Sequence, residues 1–359
     1  MKKGILSTIS FILFLCVFCI GSLIIPDKKY SEMENRSLSE FPKISVSSLL
    51  SGETQGELTT YSSDQLILRD FLVSLKVSAQ NALGKKDIGE VYLGEDDYYI
   101  EKKLEIDESI MNGNIDAISL FSKNHKELNP VFIPILTKGE VLKDKLPKGA
   151  MNYSQKAYLE KIKAKIPRVV DTEKALKNDG SFYKTDHHWT TSGAYSVYKE
   201  FCNINGKTPS VLEIETTIND FYGTLYSKAP KFFVSGEKME IPKIKSGAKY
   251  IADGKEQDIL QKDYLSKKDK YAAFLGGNCA KGEIRNLSGK GNLLIIKDSF
   301  ANSFVPFILE DYENIIMIDT RYYKDSVEKI IKEENITDVL ILCSMDTLAE
   351  ENSIPLINY

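Results

Sequence analysis

Histidine and tryptophan are scarce in this 359-residue chain, which has three of the first and one of the second. A metal centre built on several histidines therefore has little to draw on. Cysteine is nearly as sparse, with five. Cys16 and Cys19 lie in an N-terminal apolar run, while Cys202, Cys279 and Cys343 stand far apart in the body and are odd in number. That distribution argues against a disulfide framework and against a thiolate zinc site. Basic residues are not in excess, since the formal net charge is -4, so the chain offers no footprint for nucleic acid. Glycine (22) and proline (11) are ordinary and charged residues make up 27%, which does not indicate disorder. No internal repeat or low-complexity tract stands out. The 42% hydrophobic content suits one large α/β domain with or without appendages.

The first segment is the one long hydrophobic run. Lys2 and Lys3 precede an almost uninterrupted apolar stretch from Ile5 to Ile25, roughly 20 residues, the length that crosses a bilayer. Lysines before it and a polar chain after it predict an N-inside, C-outside orientation. A cleaved signal peptide is the rival reading, but the apolar core is long and no clear small-x-small site follows. Leu15-Cys16-Val17-Phe18-Cys19 lacks the small residues that lipoprotein processing needs. Both readings place the remainder outside the cytoplasm. The expected organisation is an anchor or signal over residues 1–25, an extracytoplasmic stalk over 26–60 and a single domain over 61–359.

Hydrophobic spacing predicts an amphipathic helix over 62–83 and a hairpin in which Val91–Leu93 and Tyr98–Ile100 flank Gly94-Glu95-Asp96-Asp97. A buried strand is expected over Val131–Leu136, a helix over 152–165 and extended chain over Arg168–Val170. Leu293–Ile296, Asn314–Ile318 and Val339–Cys343 are three short β-branched-rich runs. Helices expected at about 301–311 and 327–334 separate them. This is the pattern of βαβαβ and a parallel sheet covered on both faces. Ligand chemistry in such sheets collects beyond the carboxyl ends of the strands. Asp298-Ser299, Asp319-Thr320-Arg321 and Ser344 occupy those ends.

Two of the three histidines are adjacent, in Thr185-Asp186-His187-His188-Trp189-Thr190. In an extended segment, residues two apart face the same way, so Asp186 and His188 share a side and His187 does not. A carboxylate beside an imidazole fixes its tautomer and stabilises the imidazolium. The helix expected to open at Thr190 would disfavour charge on the resting ring. Ser299 lies at a strand-to-helix turn, where backbone N–H groups can hold an oxyanion. Gly276-Gly277-Asn278 could supply further oxyanion donors, Gly277 through its backbone and Asn278 through its amide. Each feature has a plainer reading. Ser299 could be a turn residue, Trp189 a core anchor rather than a substrate contact beside the histidines, His187 a packing or substrate-side residue and Arg321 either an anion clamp or a structural ion pair. Metal binding by Asp186, His187 and His188 is the weaker reading of that cluster, because adjacent histidines rarely face one ion.

The Thr185–Thr190 motif, Lys297-Asp298-Ser299-Phe300, Asp319-Thr320-Arg321-Tyr322-Tyr323, Ser31–Arg36 and Phe41-Pro42 together resemble the DHHW protein family over nearly the whole chain. That family is similar in turn to the alginate O-acetyltransferase proteins of AlgX/AlgJ type. The resemblance implies an α/β, SGNH-hydrolase-like, circularly permuted parallel sheet flanked by helices, to which the apolar run at Ile5–Ile25 adds an expected N-terminal transmembrane helix. It implies Asp186 and His188 as acid and base and Ser299 as nucleophile, without a cofactor or metal. One departure is Lys297, where SGNH enzymes usually carry glycine. The expected activity is acyl transfer to, or acyl removal from, a cell-envelope or secreted polysaccharide. A polytopic membrane acyltransferase is the expected partner for transfer. The alternative is a catalytically degenerate glycan-binding or scaffold protein on the same fold.

Overall fold

The computed structural model describes residues 2–359. The chain divides into two compact units. The first holds the chain up to Lys85 together with Ser227–Phe233, and the second holds Lys86–Tyr226 and Val234–Tyr359.

In the first unit the N-terminal helix runs over Lys2–Ile24. Its Gly4–Ser22 portion, 19 residues with a mean hydropathy of 2.4, is long and apolar enough to cross a membrane. Helices Val46–Ser51, Glu53–Asp64 and Arg69–Ala82 follow, so the expected junction of stalk and domain is largely helical. The single helix expected over 62–83 is two. Its break falls at Leu68, which has a φ of +59°, a left-handed conformation that an interior helical residue does not adopt. In the Ser31–Arg36 stretch, Arg36 Nη1 donates to Asp64 Oδ2 at 3.0 Å and holds the Asp64 carboxyl down at about 2.

The second unit is a mixed α/β structure around a seven-stranded sheet. Its strands are β1 (Val131–Ile135), β2 (Tyr250–Ala252), β3 (Lys255–Gln257), β4 (Lys281–Ile284), β5 (Asn292–Lys297), β6 (Asn314–Ile318) and β7 (Asp338–Ser344). The order across the sheet is β3-β2-β4-β6-β5-β7-β1. The four strands β6, β5, β7 and β1 are parallel, and β4, β2 and β3 continue antiparallel from β6. The parallel part is where the three expected runs fall. Strand alternation sends Leu293 and Ile295 into one core with Trp189, Val197, Tyr198, Phe201 and Phe304. It sends Leu294 and Ile296 into a second core with Ile115, Ile118, Phe121, Leu159 and Ile330. β5 is thus covered on both faces, as its apolar sequence requires.

The expected hairpin forms, with Val91–Leu93 paired antiparallel to Tyr99–Glu101. The helix expected over 301–311 is shorter, with α-helix only over Ala301–Phe304 and a 3-10 turn over Val305–Phe307. Pro306 explains this, since it has no N–H to donate to the carbonyl of Asn302 and its ring crowds that carbonyl.

Candidate active site

Ser299 stands two residues beyond Lys297, the last residue of β5, at the centre of the parallel strands, and is half-buried. Asp298 shapes the turn. Its Oδ1 accepts from Phe300 N at 3.0 Å, and its Oδ2 accepts from Ser344 N at 2.7 Å and Thr347 Oγ1 at 2.8 Å. The buried carboxylate thereby fastens the end of β5 to the end of β7. The Ser299 N–H donates to no backbone acceptor among the described residues.

His188 Nε2 lies 2.8 Å from Ser299 Oγ, and His188 Nδ1 lies 2.6 Å from Asp186 Oδ1. The expected pairing of Asp186 with His188, rather than with His187, is what forms. Its local geometry differs from the extended segment expected. The chain bends between Phe182 and Trp189, which bridge antiparallel, and the Asp186 side chain accepts from the backbone N–H of His188 at 2.9 Å. This Asx turn holds the carboxylate under the imidazole. The other oxygen, Oδ2, accepts from Thr224 N at 2.8 Å and Thr224 Oγ1 at 3.1 Å. His187 turns to Thr224, with Nδ1 2.9 Å from its hydroxyl.

Gly223 makes this approach possible. A Cβ there would lie 2.2 Å from Asp186 Cβ and 2.5 Å from Asp186 Oδ2. Gly223→Ala must displace the carboxylate, and a displacement near 1 Å costs on the order of 100-fold in rate. We expect about that loss in kcat with a small change in KM. A Gly223→Ala protein that keeps wild-type kcat would show that Asp186 tolerates the shift.

The electrostatics suit a resting base. Burial, with a contribution from His187, pushes His188 down to about 4, against the opposing pull of Asp186. The ring is therefore neutral at neutral pH, and burial is the main cause rather than the helix that begins at Thr191. Burial alone would raise Asp186. The two histidines and the Thr224 N–H outweigh it and hold the carboxyl well below its ordinary range.

Tyr271 forms the wall behind the base. Its ring stacks on His188 at 3.8 Å and 9°, and its hydroxyl lies 2.9 Å from Ser303 Oγ and 3.3 Å from the Ser299 carbonyl. Sequence reading missed both Tyr271 and Thr224. Tyr271 opens the apolar run before Gly276-Gly277, which was the one local signal available. Trp189 was expected as a possible substrate contact, and that does not hold. It is fully buried, and its indole N–H donates to Ser303 Oγ at 2.8 Å.

Gly276 and Gly277 have φ values of +72° and +95°, so the turn they make needs glycine. Asn278 Oδ1 accepts from Asn302 Nδ2 at 3.3 Å and from Lys297 Nζ at 3.4 Å, while Lys297 Nζ also donates to Asn302 Oδ1 at 2.8 Å. With its oxygen held by donors, Asn278 has its N–H pair left to offer. Lys297, the departure from glycine, is thus a buried tie between two amides, and burial lowers its basicity. Arg321 is taken up by Asp319, with contacts of 2.9 Å and 2.6 Å. Asp186, His187 and His188 lie near enough to share an ion. Both ring nitrogens of His188 already face Asp186 and Ser299, an arrangement that serves proton transfer.

Residues 150–318 match a family model described as DHHW protein. The structure is similar to a DHHW family protein from Eubacterium siraeum, with 26% identity and a TM-score of 0.60, over 75% of this chain and 94% of that one. It is also similar to Bacillus cereus PatB1, with 22% identity and a TM-score of 0.61, over 71% and 96% of the two chains. The O-acetyltransferase domain of Pseudomonas putida AlgJ matches over 73% and 93%, at 12% identity and a TM-score of 0.46. No curated protein matches the chain.

Proposed function

The chain carries the DHHW family signature across residues 150–318, and on that premise we propose that it is a serine-dependent acyl, specifically acetyl, transferase or esterase acting on an extracytoplasmic polysaccharide. The observation that supports this is the unbroken relay from Ser299 Oγ through His188 to Asp186, at 2.8 Å and 2.6 Å. Ser299 Oγ attacks the acyl carbonyl as His188 Nε2 takes its proton. The oxyanion is held by Ser299 N–H and the Asn278 amide. Collapse breaks the bond to the donor's leaving oxygen, which His188 protonates, and leaves an acyl-serine. A sugar hydroxyl, or water, then gives its proton to His188 and takes the acyl group. Half-burial of Ser299 beside the exposed Asn278 suits a hydroxyl arriving on a polymer rather than a small substrate engulfed by the protein.

In the same reading Gly4–Ser22 anchors the chain in the membrane. The acid–base turn precedes the nucleophile in sequence, as a circularly permuted SGNH sheet requires. A polytopic membrane acyltransferase would supply the acyl group. The full chain in detergent, given an activated acetyl ester, should release acetate or pass it to an oligosaccharide, and Ser299→Ala should not. Equal turnover in the two proteins would remove the nucleophile.

A further inference from the structure

The turn that carries Asp186 is held by two oppositely charged side chains, neither of which belongs to the relay. Lys138, just after β1, is only 2% exposed. Its Nζ donates to the carbonyls of Tyr183 at 2.8 Å, Lys184 at 3.1 Å and Asp186 at 2.7 Å. An ammonium has three protons and no acceptor, so all three are used on one turn. The N–H groups of the same turn go the other way. Glu237 Oε2 accepts from Lys184 N at 2.6 Å, and Oε1 accepts from Thr185 N at 2.8 Å and from the Thr185 hydroxyl. Tyr183, Thr185 and Asp186 are each only 1% exposed, so protein groups rather than water must satisfy the turn's backbone. The turn is gripped by a cation on its carbonyls and an anion on its amides.

We propose that Lys138 and Glu237 form a split ion clamp on the main chain of residues 183–186, and that this clamp positions Asp186 against His188. The two are positioning residues, since neither touches the relay's side chains. The inference deepens the acyl-transfer reading and rests on it for its kinetic arm.

The clamp has a pH signature. The groups facing the ammonium are Glu237 from strand Glu237–Pro242, Asp186 from the turn and Glu101 from strand Tyr99–Glu101. The Tyr98 ring lies 5.9 Å from Nζ. Burial brings Lys138 down to about 8, and those carboxylates resist the fall. Above that pH the clamp loses a proton, and three carbonyls share two donors. The consequence for stability has the opposite sign. Between about 8 and the unfolded value near 10.4, the folded state binds fewer protons than the unfolded one. This group therefore favours the fold increasingly as pH rises. A rate that falls there without loss of structure reports positioning.

The test compares wild type, Lys138→Met and Glu237→Gln as full chains in detergent. The wild-type kcat should fall as pH rises through about 8. Lys138→Met should lower kcat on the order of 100-fold, leave KM nearly unchanged and abolish that limb. Glu237→Gln removes a facing negative charge, so its limb should move to lower pH. The low-field proton resonance between His188 Nδ1 and Asp186 supplies a second readout that needs no turnover, and it should move upfield in Lys138→Met. A folded Lys138→Met with unchanged kcat, limb and resonance would overturn the clamp. If Lys138→Met does not fold, an unmoved limb and resonance in Glu237→Gln would do so. Should wild type itself have no acyl activity, the acyl reading falls, and the resonance alone decides the clamp.

Discussion

His188→Ala should lose about four powers of ten or more in acylation rate, the scale of removing a triad member, while His187→Ala should lose far less. The contrast follows from placement. Only His188 lies within reach of both Ser299 Oγ at 2.8 Å and Asp186 Oδ1 at 2.6 Å, whereas His187 is spent on Thr224. Because relay members act as a unit, adding Ser299→Ala to His188→Ala should cost little more. The same ring sets the acid side of the pH profile. An unperturbed imidazole titrates near ~6.5, but His188 lies at about 4. The rate needs the neutral ring, so it should stay level from neutral pH to about 5 and fall only below that. Stability follows with its own sign. Between about 6.5 and 4 the folded state binds fewer protons than the unfolded one, so the contribution of His188 is complete above 6.5 and is lost as pH falls through that window. A rate limb at 6.5, or a dead His187→Ala beside an active His188→Ala, would refute the assignment.

Asp186→Asn should keep the fold and lose on the order of 10⁴-fold in kcat, the scale of that change in a serine triad. The reason is specific to the donors around this carboxylate. Oδ1 accepts from His188 N and faces His188 Nδ1, and Oδ2 accepts from Thr224 N and Oγ1. An amide has one accepting oxygen and one donating nitrogen. With its oxygen on Thr224, its NH₂ faces His188 Nδ1 and drives the proton to Nε2, where the ring can no longer accept from Ser299. With its oxygen on His188, the NH₂ meets the Thr224 N–H and the turn opens. Steady-state kinetics with an activated ester, together with a thermal melt, would check both halves. Near-wild-type kcat would mean that Asp186 does not set the tautomer.

The sequence is most legible where local pattern and tertiary role coincide. The runs at 293–296, 314–318 and 339–343 could only be satisfied by burial on both faces, and they form the parallel part of the sheet. Ser299 was legible because it follows one of them, and the Asp186–His188 pairing because two residues set its spacing. The antiparallel extension by β4, β2 and β3 was not legible, because these strands are short and mixed in polarity and gain their order from pairing with β6. Tyr271, Thr224, Lys138 and Glu237 were hidden for a related reason. Each reaches the site from a distant part of the chain, and none sits in a motif. Trp189 was misjudged as a possible substrate contact because adjacency to His188 says nothing about which way an indole points. Lys297 looked like a defect against a glycine pattern, and only the positions of Asn278 and Asn302 show what its ammonium binds.

The central claim is that Ser299 becomes acylated. The most direct measurement is the mass of the full chain after brief mixing with an activated acetyl ester at about pH 5, followed by acid quench and peptide mapping. Wild type should gain one acetyl group on the peptide containing Ser299, and Ser299→Ala should gain none there. An acetyl group that appears on a lysine or on His187 instead, or equally in Ser299→Ala, would contradict the account.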